Sequence, residues 1–193
     1  MQKSELLDLL KDECMSCSSC ELSKTRKNIV FSDGNPNTAK YFLIGEAPGE
    51  NEDLSGMPFV GRAGKLLDEF LIKASIDRKT ELYIANTVKC RPPKNRVPLE
   101  IEKSACRKYI EKQIDIVNPK LILLCGSTAL KSFYDKKIPI SKIRGQIIEI
   151  SVLGKSYKAI PIFHPSYLLR NHSTETGTPR RLMLQDLEMI KTL

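Results

Sequence analysis

The chain has 193 residues, 41% of them apolar and 28% charged, which fits one ordinary packed domain and excludes disorder across the chain as a whole. Its longest apolar run, Leu121 to Cys125, is five residues, where a membrane span takes roughly 20. Lys and Arg outnumber Asp and Glu by 31 to 23, and a net charge of +8 suits a polyanionic partner such as nucleic acid, though a generally lysine-rich surface would give the same sum.

Taken in order, residues 4–13 read as a short helix carrying Leu6, Leu7, Leu9 and Leu10. Glu5, Asp8, Asp12 and Glu13 break any apolar opening of the secretory kind, so the expected compartment is the cytosol. Tyr41-Phe42-Leu43-Ile44 reads as a buried strand ending at Gly45, residues 63–75 as a helix, and Leu82 to Ala85 as a second strand. Pro98 opens a helix with Cys106, Ile110, Ile114 and Val117 on its apolar side. Leu121–Cys125 is a strand, Thr128–Phe133 a helix, Ile147–Ile150 and Lys158–Phe163 strands, and about 180–193 a helix. Strands alternating with helices predict an α/β fold with a mostly parallel sheet covered on both faces. In such a sheet ligands bind beyond the carboxyl ends of the strands. That directs attention to Gly45–Asp53, Asn86–Arg96, Gly126-Ser127 and His164–Arg170.

Six cysteines in a reducing compartment point to metal or catalysis rather than to disulfides. Cys17-Ser-Ser-Cys20 is a CxxC; Cys90 follows a strand, and Cys106 lies on a helix, separated from it by fifteen residues. Four thiolates of this kind close around zinc or an iron–sulfur cluster, and the absence of a second CxxC after Cys90 favours the cluster. Cys14-Met-Ser-Cys17 is also a CxxC, which makes Cys14 a further candidate, whereas Cys125 reads as a buried core thiol.

Three strand ends carry residues suited to chemistry. Gly45-Glu46-Ala47-Pro48-Gly49-Glu50-Asn51-Glu52-Asp53 is too acidic for a phosphate cradle and lacks GxGxxG, and Gly61-Arg-Ala-Gly64-Lys65 lacks the spacing and the hydroxyl of a P-loop. No nucleotide cofactor is expected. Asn86 offers one donor and one acceptor side by side, the pattern that reads a base edge, and equally the pattern that ends a strand on its own backbone. His164, one of two histidines, follows the last strand in His164-Pro165-Ser166-Tyr167-Leu168-Leu169-Arg170; His172 lies in a polar stretch.

Four motifs in one order, CSSCELSKTR, GEAPGENED with PFVGRAG, ANTVKCRPP and FHPSYLLR, resemble the family 4 uracil-DNA glycosylases, the iron–sulfur branch of that superfamily, from about residue 14 to the end. The resemblance implies a three-layer α/β/α sandwich with a short, mostly parallel central sheet, and a single domain over residues 1–193. It implies a [4Fe-4S] cluster on Cys17, Cys20, Cys90 and Cys106, with Cys14 outside the pattern. It implies a uracil pocket of Gly45, Glu46, Ala47, Phe59, Asn86 and His164, with Glu52 as the group that excludes the thymine methyl. Its catalytic pair would be Glu46, orienting water and facing the sugar cation, and His164, stabilising the uracil oxygen. Other branches of the superfamily carry an aspartate where Ala47 stands here. Tyr167 and Leu168 are the expected wedges in the DNA stack, and Arg62, Lys65, Arg91, Lys94, Arg96 and Arg170 the expected phosphate contacts. The expected partner is uracil-containing DNA, bound by a monomer. The alternatives are a non-catalytic iron–sulfur module that binds DNA, a zinc-bound nucleic-acid protein, and a crosslinking relative whose extra basic loop is not visible between Pro48 and Phe59.

Overall fold

The structure, a computed structural model, describes residues 2–193. In chain order the elements are α1 (Lys3–Met15), β1 (Asp33–Gly34), β2 (Tyr41–Gly45), α2 (Glu50–Ser55), α3 (Arg62–Lys73), α4 (Arg78–Glu81), β3 (Leu82–Asn86), α5 (Glu100–Val117), β4 (Leu121–Cys125), α6 (Ser127–Phe133), α7 (Ile140–Ile143), β5 (Ile148–Val152), β6 (Lys155–Ile162), α8 (Pro165–Leu168) and α9 (Pro179–Thr192). The sheet runs β1-β3-β2-β4-β6-β5. Its four inner strands are parallel, and the edge strands β1 and β5 are antiparallel to their neighbours.

The strands β2, β3 and β4 are buried at every position, as strands covered on both faces must be. Their residues alternate between two cores. Phe42, Ile44, Tyr83, Ala85, Ile122 and Leu124 face one side, where α1, α5 and α6 supply Leu10, Ile110, Ile114 and Leu130. Leu43, Ile84, Leu123, Ile160 and Ile162 face the other, against Leu67, Phe70 and Leu71 of α3 and Met183, Leu187 and Ile190 of α9. This is the three-layer sandwich expected from the sequence. The last two strands differ from that reading. They are longer, and they form a hairpin through Leu153-Gly154, both at positive φ (49° and 78°), the backbone a two-residue hairpin turn demands. Among the described residues no helix is long and apolar enough to cross a membrane.

Polar pairs join the layers. Arg144 forms a buried ion pair with Asp186 of α9. Glu81, at the end of α4, accepts from Lys40 at 2.9 Å, from Lys191 of α9 at 2.8 Å and from the Asp77 amide at 3.0 Å. Burial alone would raise the Glu81 pKa, but these donors outweigh it and hold the carboxyl down at about 2, against an ordinary 4.5. A depressed carboxylate stabilises the fold above its unfolded pKa, and that contribution is lost as pH falls towards the folded value. Glu81→Gln is therefore expected to cost on the order of 2 kcal/mol at pH 7 and progressively less between pH 4.5 and 2. Thermal melts of both proteins across that range check it; a deficit that does not change with pH would remove the ion pairs as its cause.

Candidate active site

The carboxyl ends of β2, β3 and β6 open on one cleft of about 290 Å³, lined by Glu46, Ala47, Glu52, Phe59, Asn86 and His164 among others. Gly45 and Asn86 are register partners at the ends of β2 and β3. A Cβ on Gly45 would lie 2.3 Å from the Asn86 side-chain oxygen and 2.7 Å from the Phe59 ring. Only glycine lets the amide and the ring meet there. Asn86 is 2% exposed, and among the described residues no protein group hydrogen-bonds its side-chain amide. The chain instead fixes its backbone. The fully buried Lys89 donates from Nζ to the Asn86 carbonyl at 2.9 Å and to Gln113 Oε1 at 2.6 Å, and Gln113 in turn donates to the Phe31 carbonyl.

Phe59 sits at φ 54°, a left-handed conformation that a bulky residue adopts only when its surroundings impose it. Two clamps do so. Arg78 donates to the carbonyls of Pro58 (2.8 Å) and Phe59 (3.0 Å) while paired with Asp33 and Asp68. Glu52 accepts from the amides of Val60 (2.9 Å) and Gly61 (2.7 Å) and, through its other oxygen, from Gly49 at 3.1 Å. Glu52 thus lines the cleft as expected, but three backbone amides occupy its carboxylate, so it acts on the cleft by holding the Phe59 loop. The sequence gives no sign of Arg78, whose partners lie up to 45 residues away.

His164 follows β6 and caps α8. Its Nδ1 accepts from the Ser166 amide at 3.2 Å and lies 2.8 Å from the Ser166 hydroxyl. An acceptor Nδ1 places the ring proton on Nε2. Burial pushes the pKa of His164 down to about 4, and the nearby Glu52 offsets this only in part, so the ring is neutral at pH 7. Its ring stands 5.8 Å from that of Phe59, tilted by 37°. A Cβ on Gly126, which has φ 93°, would come within 3.0 Å of the His164 Cβ, so the turn after β4 has to be glycine. Glu46 also lines the cleft and accepts a hydrogen bond from the hydroxyl of Thr128 on α6. Thr128 was not among the residues singled out by sequence.

Of the expected DNA contacts, Arg62, Lys65, Lys94 and Arg170 are exposed. Arg91 is half-buried and bonded to Asn95 and Glu50. Arg96 lines the cleft with its guanidinium paired to the buried Glu102 at 2.6 and 2.9 Å, which ties the loop to the start of α5. One expectation needs correction. Leu168 is fully buried beside Phe163, Met183 and Leu187, so it is a core residue and not a wedge. Tyr167 is 40% exposed and leans on Phe163, with ring centroids 5.3 Å apart.

On the α1/α5 side of the sheet, Cys14, Cys17, Cys20, Cys90 and Cys106 line a separate chamber with Arg26 and Lys89. All six cysteines are free thiols. Arg26 donates to Cys90 Sγ at 3.4 Å, and the Lys89 amide donates to Cys106 Sγ at 3.3 Å. Among the described residues no three His, Cys, Asp or Glu side chains converge at the distances of a single bound metal ion. A set of soft sulfur donors, partly buried and supplied with N–H donors, fits an iron–sulfur cluster.

Comparison with known proteins places the chain. The model of the uracil DNA glycosylase superfamily matches residues 31–188. A type-4 uracil-DNA glycosylase from Thermotoga maritima is 47% identical over 191 residues, covering 98% of this chain and 95% of the relative. The type-4 uracil-DNA glycosylase of Archaeoglobus fulgidus is 40% identical over 86% of this chain and 84% of its own, and that of Sulfurisphaera tokodaii 38% identical over 97% and 84%. With a cleft built at the strand ends, a thiol chamber behind it and this extent of similarity, the chain belongs to the uracil-DNA glycosylase superfamily, in its type-4 branch.

Proposed function

We propose that the cleft receives a uracil base flipped out of DNA, and that the chain hydrolyses its N-glycosidic bond to leave an abasic site in base excision repair. The observation that carries this is the neutral His164, its Nε2–H fixed by the Ser166 amide, in one cleft with the Phe59 ring and the Asn86 amide. A base must leave the stack before an enzyme can act on it. Phe59 then stacks on the ring, worth about 1–3 kcal/mol. Asn86 accepts from uracil N3–H and donates to O4, whereas cytosine presents the reverse pattern. A well-held bidentate pair of this kind discriminates by about 1–3 kcal/mol.

As the bond from the sugar to N1 breaks, its electron pair passes to the uracil ring and gathers on O2, and the sugar becomes cationic. His164 donates its Nε2–H to that oxygen, stabilising the charge as it develops. Glu46, steadied by Thr128, faces the sugar cation and takes a proton from the water that adds to it. The Gly45-Glu46-Ala47 backbone forms the wall behind the base. Tyr167 enters the space the base has left, and Arg62, Lys65, Lys94 and Arg170, with Arg91 at the margin, hold phosphates.

A [4Fe-4S] cluster on Cys17, Cys20, Cys90 and Cys106 would cross-link the N-terminal segment to the loop after β3 and to α5. Its negative charge would also give the buried Lys89 ammonium a counterion. On its own, burial lowers the Lys89 pKa to about 8, against the opposite pull of the Cys106, Cys14 and Cys90 thiols. Both cores pack on the same sheet, which supports one domain over the whole chain. The reaction consumes only DNA and water and so needs no nucleotide cofactor, and we read the chain as a cytoplasmic monomer.

His164→Ala should lower turnover on a single-uracil oligonucleotide by about 10²–10³ while leaving binding nearly intact. Because the imidazole stays neutral until about pH 4, the wild-type rate should show no histidine inflection between pH 5 and 8. Near-normal turnover in the variant, or imidazole nitrogen shifts moving near pH 6.5, would exclude this role. Glu52→Ala should release the Phe59 loop and admit thymine, so that an oligonucleotide with a single T·G pair becomes cleavable after alkali; unchanged exclusion of thymine would remove Glu52 from that task. Lys89→Met should fold and hold iron, yet lose uracil-over-cytosine discrimination by about tenfold or more, because the Asn86 carbonyl is left unpartnered. The ratio of kcat/KM values for the two bases tests this, and an unaltered ratio would make Lys89 merely structural.

A further inference from the structure

The thiol chamber holds one cysteine more than a cluster bound by four thiolates requires. Cys14, Cys17 and Cys20 form a C-x-x-C-x-x-C run that begins in the last turn of α1 and leads into the short helical turn Glu21–Lys24. All three line the same chamber as Cys90 and Cys106. Cys14 is the deepest of the three at 1% exposure, whereas Cys17 and Cys20 are half-buried. The sixth cysteine lies elsewhere: Cys125 points into the opposite core, with Sγ against the Phe163 carbonyl. Five thiols in one chamber are therefore not a by-product of a cysteine-rich chain.

Cys14 and Cys17 are also mechanically linked. The Cys17 amide donates to the Cys14 carbonyl at 3.0 Å, closing the turn that ends α1. The two thiols therefore sit at the two ends of one hydrogen-bonded turn. The charges of the Cys106, Cys17 and Cys90 sulfurs are all felt at Cys14, as expected of a group sharing their space. Cys17 is the looser member, its Sγ turned to the hydroxyl of the exposed Ser19 at 3.5 Å.

We propose that Cys14 is a reserve ligand for the iron–sulfur cluster, taking over the iron of Cys17 when Cys17 does not bind. The exchange breaks the iron–sulfur bond to Cys17 and forms one to Cys14; the Cys14 thiol proton passes to the released Cys17 thiolate, and no electron is transferred. This inference rests on the cluster reading given above.

The test counts metal and does not depend on activity. Wild type, Cys14→Ala, Cys17→Ala and the double variant are purified without oxygen and reconstituted with iron and sulfide. Iron and sulfide per chain and the visible charge-transfer absorbance are then measured, with circular dichroism as the check on folding. Both single variants are expected to hold a full complement of four irons, and the double variant to lose at least one iron or the whole cluster. A Cys17→Ala protein that folds but holds three irons or fewer would overturn the proposal, as would a double variant that keeps all four. Should Cys17→Ala fold poorly, Cys17→Ser carries the same test by X-ray absorption: sulfur-only coordination of iron supports Cys14 as ligand, and one oxygen ligand refutes it. Wild type that takes up zinc, or no iron, would instead sink the cluster reading itself, and the reserve ligand with it.

Discussion

The site depends on one steric condition at the end of β2. Gly45 has no side chain, and into that space come the Asn86 amide from the neighbouring strand and the Phe59 ring from the loop beyond α2. Any Cβ would overlap both. The parallel register that sets Gly45 opposite Asn86 is therefore part of how the cleft is built as much as of the fold. The same sheet delivers His164 from two strands away, and a second glycine, Gly126, allows it to pack against the turn after β4.

Around this point the protein places charge where it can be satisfied by backbone. Glu52 gathers three amides, Arg78 two carbonyls, and Lys89 the carbonyl of Asn86 itself. None of the three needs to touch a base to matter. Each fixes the main chain beneath a residue that faces the cleft, which is how a loop is given the precision of a strand. The cost of burying these groups is offset by hydrogen bonds to groups that would otherwise be orphaned. Lys89 stands out because, among the described residues, both of its acceptors are neutral.

Much of this was legible in the sequence because the α/β rule is strong: buried strands identify themselves, and whatever follows them faces a ligand. Gly45, Asn86 and His164 were found in that way. The supporting residues were not, since Arg78 acts on Asp33 and Phe59, and Thr128 on Glu46, through contacts that no local pattern records. Exposure was the other weakness. Tyr167 and Leu168 are neighbours, yet the single turn of α8 sends one outward and the other into the core beside Met183. Arg96 reads as a phosphate ligand in a basic loop, and no local pattern records that Glu102, six residues on, accepts one hydrogen bond from each of its terminal nitrogens.

The strand order has a consequence for how the chain is made. β2 lies inside the sheet between β3 and β4, but it is synthesised before either. Its Tyr41-Phe42-Leu43-Ile44 run leaves the ribosome with two unpaired edges, and the second stays open until β4 emerges some 80 residues later. At ordinary elongation rates that interval is about 4–16 s. Over that time an apolar strand with a free edge is a template for pairing with the wrong chain. The helices α1, made before β2, and α3, made while β4 is still awaited, pack on its two faces and are the nascent chain's means of covering its apolar residues in that interval.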